Sequence, residues 1–148
     1  MSDIRLEIRV QAPADAIWNL WADFSNAPQW DTDVRNCTLD GPFQSGTRGL
    51  CVLKNGLQMP LVLEQVNPRR NYSNSARLLW ARLTFNHYLT RIGAHETHVV
   101  HSVSIDGRLS FLYRGLLRAL LRPAMNQALR NLGRLAEQRA NQGLAQAC

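Results

Sequence analysis

His87 and His101 are the residues of this chain best placed to do chemistry. Each stands among apolar side chains in a segment with a period of two. Leu83, Phe85, His87 and Leu89 share one face, and Val99, His101, Val103 and Ile105 share another. Arg91-Ile92-Gly93-Ala94-His95 reads as the turn between the two segments, which sets His87 opposite or diagonal to His101 on neighbouring strands. A neutral imidazole can remove a proton next to a carbonyl, and a protonated one can give a proton to a departing hydroxyl. Two imidazoles on an apolar face need partners or a ligand, so a lined cavity is expected rather than a solid core.

Register extends the pair into a row. The Asn67-Pro68 turn sets Gln65 opposite Tyr72, and a loop around Leu79-Trp80 brings Tyr72 toward His87. Gln65, Tyr72, His87 and His101 then cross four adjacent strands on a concave face, flanked by Met59, Leu61, Leu63, Asn74, Phe85 and Leu89. Such a polar line suits a ligand that is mostly hydrocarbon or aromatic, with a few oxygens. Tyr72 is the expected donor to a developing oxyanion. Trp30 and Trp80, near loop ends, are expected on the cavity wall or at its entrance, and Leu116 and Leu120 on the helix that covers it. The competing reading is structural, with the two histidines satisfying each other inside a packed core. His95 and His98 fall in the turn and on the outward face.

These positions require a particular set of elements. Ile4 to Val10 alternates apolar and charged residues, as a strand with one wet face does. Ala12-Pro13-Ala14-Asp15 opens a helix whose Ile17, Leu20, Trp21 and Phe24 turn inward, and Ser25 caps a second, short helix through Trp30. Six strands follow: Arg35 to Asp40, Thr47 to Lys54, Leu57 to Val66, a shorter Tyr72 to Ala76, and the two histidine strands. Asn55-Gly56 between the second and third of these is a hairpin signal. After Gly107 the period becomes helical, and one long helix runs from Leu109 to about Gln138. Leu116, Leu117, Leu120 and Ala124 cover one face of its first half; Met125, Leu129, Leu132 and Ala136 cover a rotated face of its second, with a kink at Pro123. Arg114, Arg118, Arg122, Arg130 and Arg134 recur along it and read as a solvated face, the alternative being a membrane or acidic-partner surface.

Composition narrows the function classes. The 148 residues suit one domain, 1–148, large enough to bury an ordinary core. There is no 18-residue apolar run, so no integral membrane contact is expected. The start of the chain lacks the pattern of a signal peptide, and a cytoplasmic location is expected. The net charge is +6, and of the 17 basic residues only Lys54 is lysine. With no basic run and no interleaved aromatics, no nucleic-acid partner is expected. Cys37 and Cys51 face each other across a hairpin and, in a reducing compartment, are read as small apolar fillers. Cys148 ends a tail that matches no prenylation signal. The facing histidines lack an inward carboxylate or thiolate to complete a ligand set, so no metal is expected, nor any other cofactor. A monomer or weak homodimer is expected.

The element order also carries a resemblance. It rests on Ala12-Pro13-Ala14-Asp15-Ala16-Ile17-Trp18, Asp23-Phe24-Ser25-Asn26-Ala27-Pro28-Gln29-Trp30, Gly41-Pro42-Phe43 with Gly46-Thr47, and Glu64-Gln65-Val66-Asn67-Pro68-Arg69. His87, Glu96-Thr97-His98-Val99-Val100-His101 through Gly107, and Ala128-Leu129-Arg130-Asn131-Leu132 complete it. Over nearly its whole length the chain resembles the START/Bet v1-like (SRPBCC) superfamily, in its polyketide cyclase/dehydrase branch. That resemblance implies an α+β helix-grip fold: a curved seven-stranded antiparallel sheet around a long C-terminal helix, with two short helices after the first strand. It implies a cavity for a polyketide, lipid or aromatic molecule. The activity it implies is cyclisation and dehydration, for which the strand-face reading, not the resemblance, offers His87 and His101 as acid and base; the alternative is a non-catalytic carrier or sensor of hydrophobic ligands.

Overall fold

The structure, a computed structural model, describes residues 2–78 and 80–147; Leu79, in the expected loop, and the terminal Cys148 lie outside the described residues. The chain runs β1 (Ile4–Val10), α1 (Ala14–Ala22), a short 3₁₀ helix (Phe24–Gln29) and β2 (Val34–Leu39). It continues through β3 (Arg48–Leu53), β4 (Gln58–Asn67), β5 (Asn71–Leu78), β6 (Ala81–Gly93), β7 (Glu96–Asp106) and α2 (Ser110–Ala147). The strands form a single seven-stranded antiparallel sheet in the order β1-β7-β6-β5-β4-β3-β2.

Local chemistry explains the frame. In β1, Ile4 and Val10 are buried while Arg5, Glu7 and Arg9 are exposed, as a two-residue period requires. Pro13 takes the N-cap position of α1 in an extended conformation, and Asp15 lies in the positively polarised first turn. Ile17, Trp18, Leu20 and Trp21 of that helix are buried. α2 is longer than its hydrophobic pattern predicts and continues through Pro123, whose ring faces water. Its second half is the part that packs: Ala128, Leu129, Leu132 and Ala136 are buried against the sheet and α1. At Gly133 the approach to β1 is close, because a Cβ there would stand 2.9 Å from Ile8 Cδ1.

Two expectations change at the sheet. In β4 a bulge falls between Leu63 and Gln65, so Leu63 pairs with Asn74 but Val66, not Gln65, pairs with Tyr72. One extra residue reverses the facing of everything beyond it, and Gln65 is exposed on the outer side. Cys37 and Cys51 do face each other in the β2–β3 register, but they are joined in a disulfide rather than packed as free thiols. Closing a loop of this length is worth about 3 kcal/mol on a chain-entropy basis.

Candidate functional site

Tyr72, His87 and His101 occupy directly paired positions on β5, β6 and β7. All three side chains are buried. The Tyr72 and His87 rings stack at 4.0 Å with 3° between planes, and His87 meets His101 edge to face at 4.6 Å. Trp21, from α1, closes over the row, 5.5 Å from His87 and 5.7 Å from His101. Trp30 stands 6.0 Å from His101, and Phe43 reaches Tyr72 from the β2–β3 connection at 5.1 Å. Alternation brings the three polar rings inward, and α1 supplies the aromatic ceiling.

The row forms one wall of a cavity of about 180 Å³. Its size is comparable with an apolar cavity of roughly 150 Å³ that admits benzene. Trp30, Met59, Leu61, Tyr72, Asn74, Phe85, His87 and His101, all expected at the site, line it. Leu63 and Leu89 are buried but belong to the solid part of the core. Three placements are corrected besides Gln65. Leu116 and Leu120 are exposed, because the inward face of α2 runs through Leu117, Leu121, Ala124, Met125 and Ala128 instead. Trp80 is 73% exposed at the β5–β6 turn and guards no cavity entrance.

Sequence reasoning missed Asp31 and Asp33, which follow the 3₁₀ helix and face the cavity. The signal was a carboxylate set between Trp30 and Val34, two residues with reason to be inside. The position of Asp31 is braced from α2. Asn131 Nδ2 donates to the Trp30 carbonyl at 3.1 Å, while Asn131 Oδ1 accepts from Gln127 and Arg134, each at 2.9 Å.

Burial governs the electrostatics. It pushes the Asp31 carboxyl up to about 6, the Asp33 backbone N–H opposing and the Asp33 charge adding to the rise. The Tyr72 hydroxyl is pushed well above its ordinary range by burial and by the Asp31 charge. Burial takes His101 down to about 3. His87 is held well below its usual value by burial and by His101. Both imidazoles are therefore neutral at pH 7, and Asp31 is the group that titrates near neutrality. His87 Nδ1, His101 Nε2 and Trp30 Nε1 are buried without a protein hydrogen-bond partner. That does not fit a core in which the histidines satisfy each other.

Among the described residues, no group of three or more His, Cys, Asp or Glu is placed to hold a metal ion, and no helix is long and apolar enough to cross a membrane.

A curved antiparallel sheet closed on one long helix, with a cavity between them, is the helix-grip fold of Bet v1-like proteins. The chain belongs to the family described as polyketide cyclase/dehydrase and lipid transport, whose sequence model matches residues 1–137. No curated protein sequence matches it. Solved structures share the fold. An aromatase/cyclase (Zhui) from Streptomyces sp. R1128 superposes with a TM-score of 0.73 at 16% identity, over 92% of this chain and 93% of that one. A norcoclaurine synthase point mutant from Thalictrum flavum, bound to a transition-state analogue, gives 0.69 at 16% identity over 92% and 94%. A protein of Thermus thermophilus gives 0.72 at 16% identity over 93% and 98%. At such identities the likeness is one of fold.

Proposed function

We propose that the protein binds a hydrophobic, partly oxygenated small molecule of one- or two-ring size in this cavity and catalyses its cyclisation or dehydration. The observation that carries the reading is a mostly apolar chamber with the Tyr72, His87 and His101 row on one wall and Asp31 in its lining. A carbonyl or hydroxyl of the ligand would satisfy His87 Nδ1 and His101 Nε2 while its rings lie against Met59, Leu61 and Phe85. The family description and the fold shared with an aromatase/cyclase support the choice of chemistry.

Proton transfer in this reading passes from the histidines to Asp31. A group near pKa 6 is matched to work at neutral pH, whereas a neutral, buried imidazole resists protonation. Asp31 as carboxylate removes a proton from the carbon beside a ligand carbonyl. The enolate oxygen accepts hydrogen bonds from Tyr72 and an imidazole N–H, and its carbon attacks a second carbonyl to close the ring. Asp31, now protonated, returns that proton to the alkoxide formed by the attack. As carboxylate again it takes the second proton from the same carbon and passes it to the new hydroxyl, which leaves as water as the C=C bond forms.

Titration with 2-naphthol tests the binding. The expected result is a shift of the His87 and His101 ring resonances with saturation; a ligand series that moves neither ring would refute it. Turnover of a linear poly-β-ketone thioester tests the chemistry. Asp31→Asn should lower kcat by about 10²- to 10⁴-fold, and the wild-type base step should lose rate as pH falls through about 6. The second reading is a non-catalytic carrier or sensor, favoured by the low proton affinity of both imidazoles. Binding without turnover would establish it.

A further inference from the structure

The first half of α2 turns an apolar face to water. Phe111, Leu112, Leu116 and Leu120 are 63% to 71% exposed, and Leu109 just before the helix is 45% exposed. Trp80 joins them from the β5–β6 turn. Its carbonyl oxygen lies 2.5 Å from where a Cβ at Gly107 would sit, so the backbone of this turn abuts the β7–α2 connection. Gly107 has φ of +143°, and no larger residue fits there without strain. Leu112, Leu116 and Leu120 recur every four residues along one side of the outward face, and Phe111, Arg118 and Arg122 follow the other side.

The charge on this surface has one sign. From Gly107 to Ala136 there is no carboxylate, while Arg108, Arg118 and Arg122 are exposed. None of these three has an ion-pair partner among the described residues. The flanking acids are Asp106, across the ladder from Arg82, and Asp3, which holds Arg114 at 3.2 Å.

We propose that Trp80 and the outer face of residues 109–122 dock on an anionic lipid bilayer. Trp, Phe and Leu enter the headgroup boundary and the arginines meet lipid phosphates, as in a helix that lies in the interface plane. Charge complementarity selects this occupant. A second copy would set arginine against arginine, and side chains this exposed stand out from the surface rather than line a groove for a protein partner. Leu121, Ala124 and Met125, the next turn along, line the cavity, so docking brings the chamber wall next to the membrane. The docking does not depend on what the cavity holds.

Full-chain protein mixed with phosphatidylcholine vesicles, with and without phosphatidylglycerol, provides the test. Sedimentation with the anionic vesicles alone is expected, weakening as salt rises. Trp80 is the exposed tryptophan, so its emission should shift to the blue on binding, and Trp80→Phe should remove the shift but retain binding. Arg118→Gln with Arg122→Gln should weaken binding about thirtyfold, from ~2 kcal/mol for two charges at an anionic surface. Leu116→Ser with Leu120→Ser should abolish it while circular dichroism stays unchanged. No binding at low salt would overturn the proposal and leave an acidic protein as the partner. Equal binding to neutral vesicles, or unchanged binding in the arginine pair or the leucine pair of substitutions, would also overturn it. A concentration-dependent dimer lost in Leu116→Ser with Leu120→Ser would overturn it in favour of a second copy.

Discussion

The two halves of α2 have similar sequences and opposite fates. Leu129 and Leu132 in the second half are fully buried, while Leu116 and Leu120 in the first are about two-thirds exposed. Gly133 is pressed against Ile8 and Val10, whereas a side chain at Gly115 would meet nothing within 4 Å. Both halves carry arginine and leucine at helical spacing. One half is therefore structural and the other is free to meet a partner, and the difference lies in what stands opposite. β1 and α1 face the second half, and the first half has only part of one face covered.

The sharpest way to break that contrast is Leu132→Ala. It should cost about 2–5 kcal/mol in denaturant unfolding, from lost transfer energy and a residual cavity. A loss near zero would mean the two halves are not different after all. Next comes Asn131→Ala, expected to cost about 1–3 kcal/mol because the buried Trp30 carbonyl loses its donor. Displacing Asp31 should also move the pH profile of any cavity reaction, which a purely structural role would not do.

Asp31→Asn should do the reverse at pH 8 and stabilise the fold by about 1–3 kcal/mol. Its carboxyl is raised from 3.8 to about 6, so the native state keeps a proton that the unfolded chain releases. Wild-type stability from this group is thus lost as pH rises from about 4 to 6, and the gain in the variant should vanish below pH 4. The two histidines act with opposite sign. The unfolded chain protonates them below about 6.5 while the native state does not, so their burial costs stability as pH falls.

On the outer half, Gly115→Ala should raise stability by about 0.5–1 kcal/mol through helix propensity alone. Leu116→Ser should change it by less than about 0.5 kcal/mol. A large loss at Leu116 would show that the outer face is covered within the folded chain.

How much of the site was legible depended on distance along the chain. The turn after Arg91 is short, and β6 and β7 pair in the register that the turn implies, so His87 faces His101 as read. Tyr72 reaches His87 across the β5–β6 pair for the same reason. Gln65 was misplaced because a bulge leaves no clear mark in a run of β-prone residues, yet it exchanges the two faces of the strand. Asp31 went unread because the end of a 3₁₀ helix gives no periodicity from which to judge facing.

Residue order was enough to establish the elements, their succession, the strand phases away from bulges and the pairing of the two histidines. Backbone geometry makes those matters of neighbours a few residues apart. Packing was needed to settle which leucines of α2 are covered and that Asp31 enters the cavity. Each depends on groups brought together from distant positions, and on burial, which no local pattern of residues encodes.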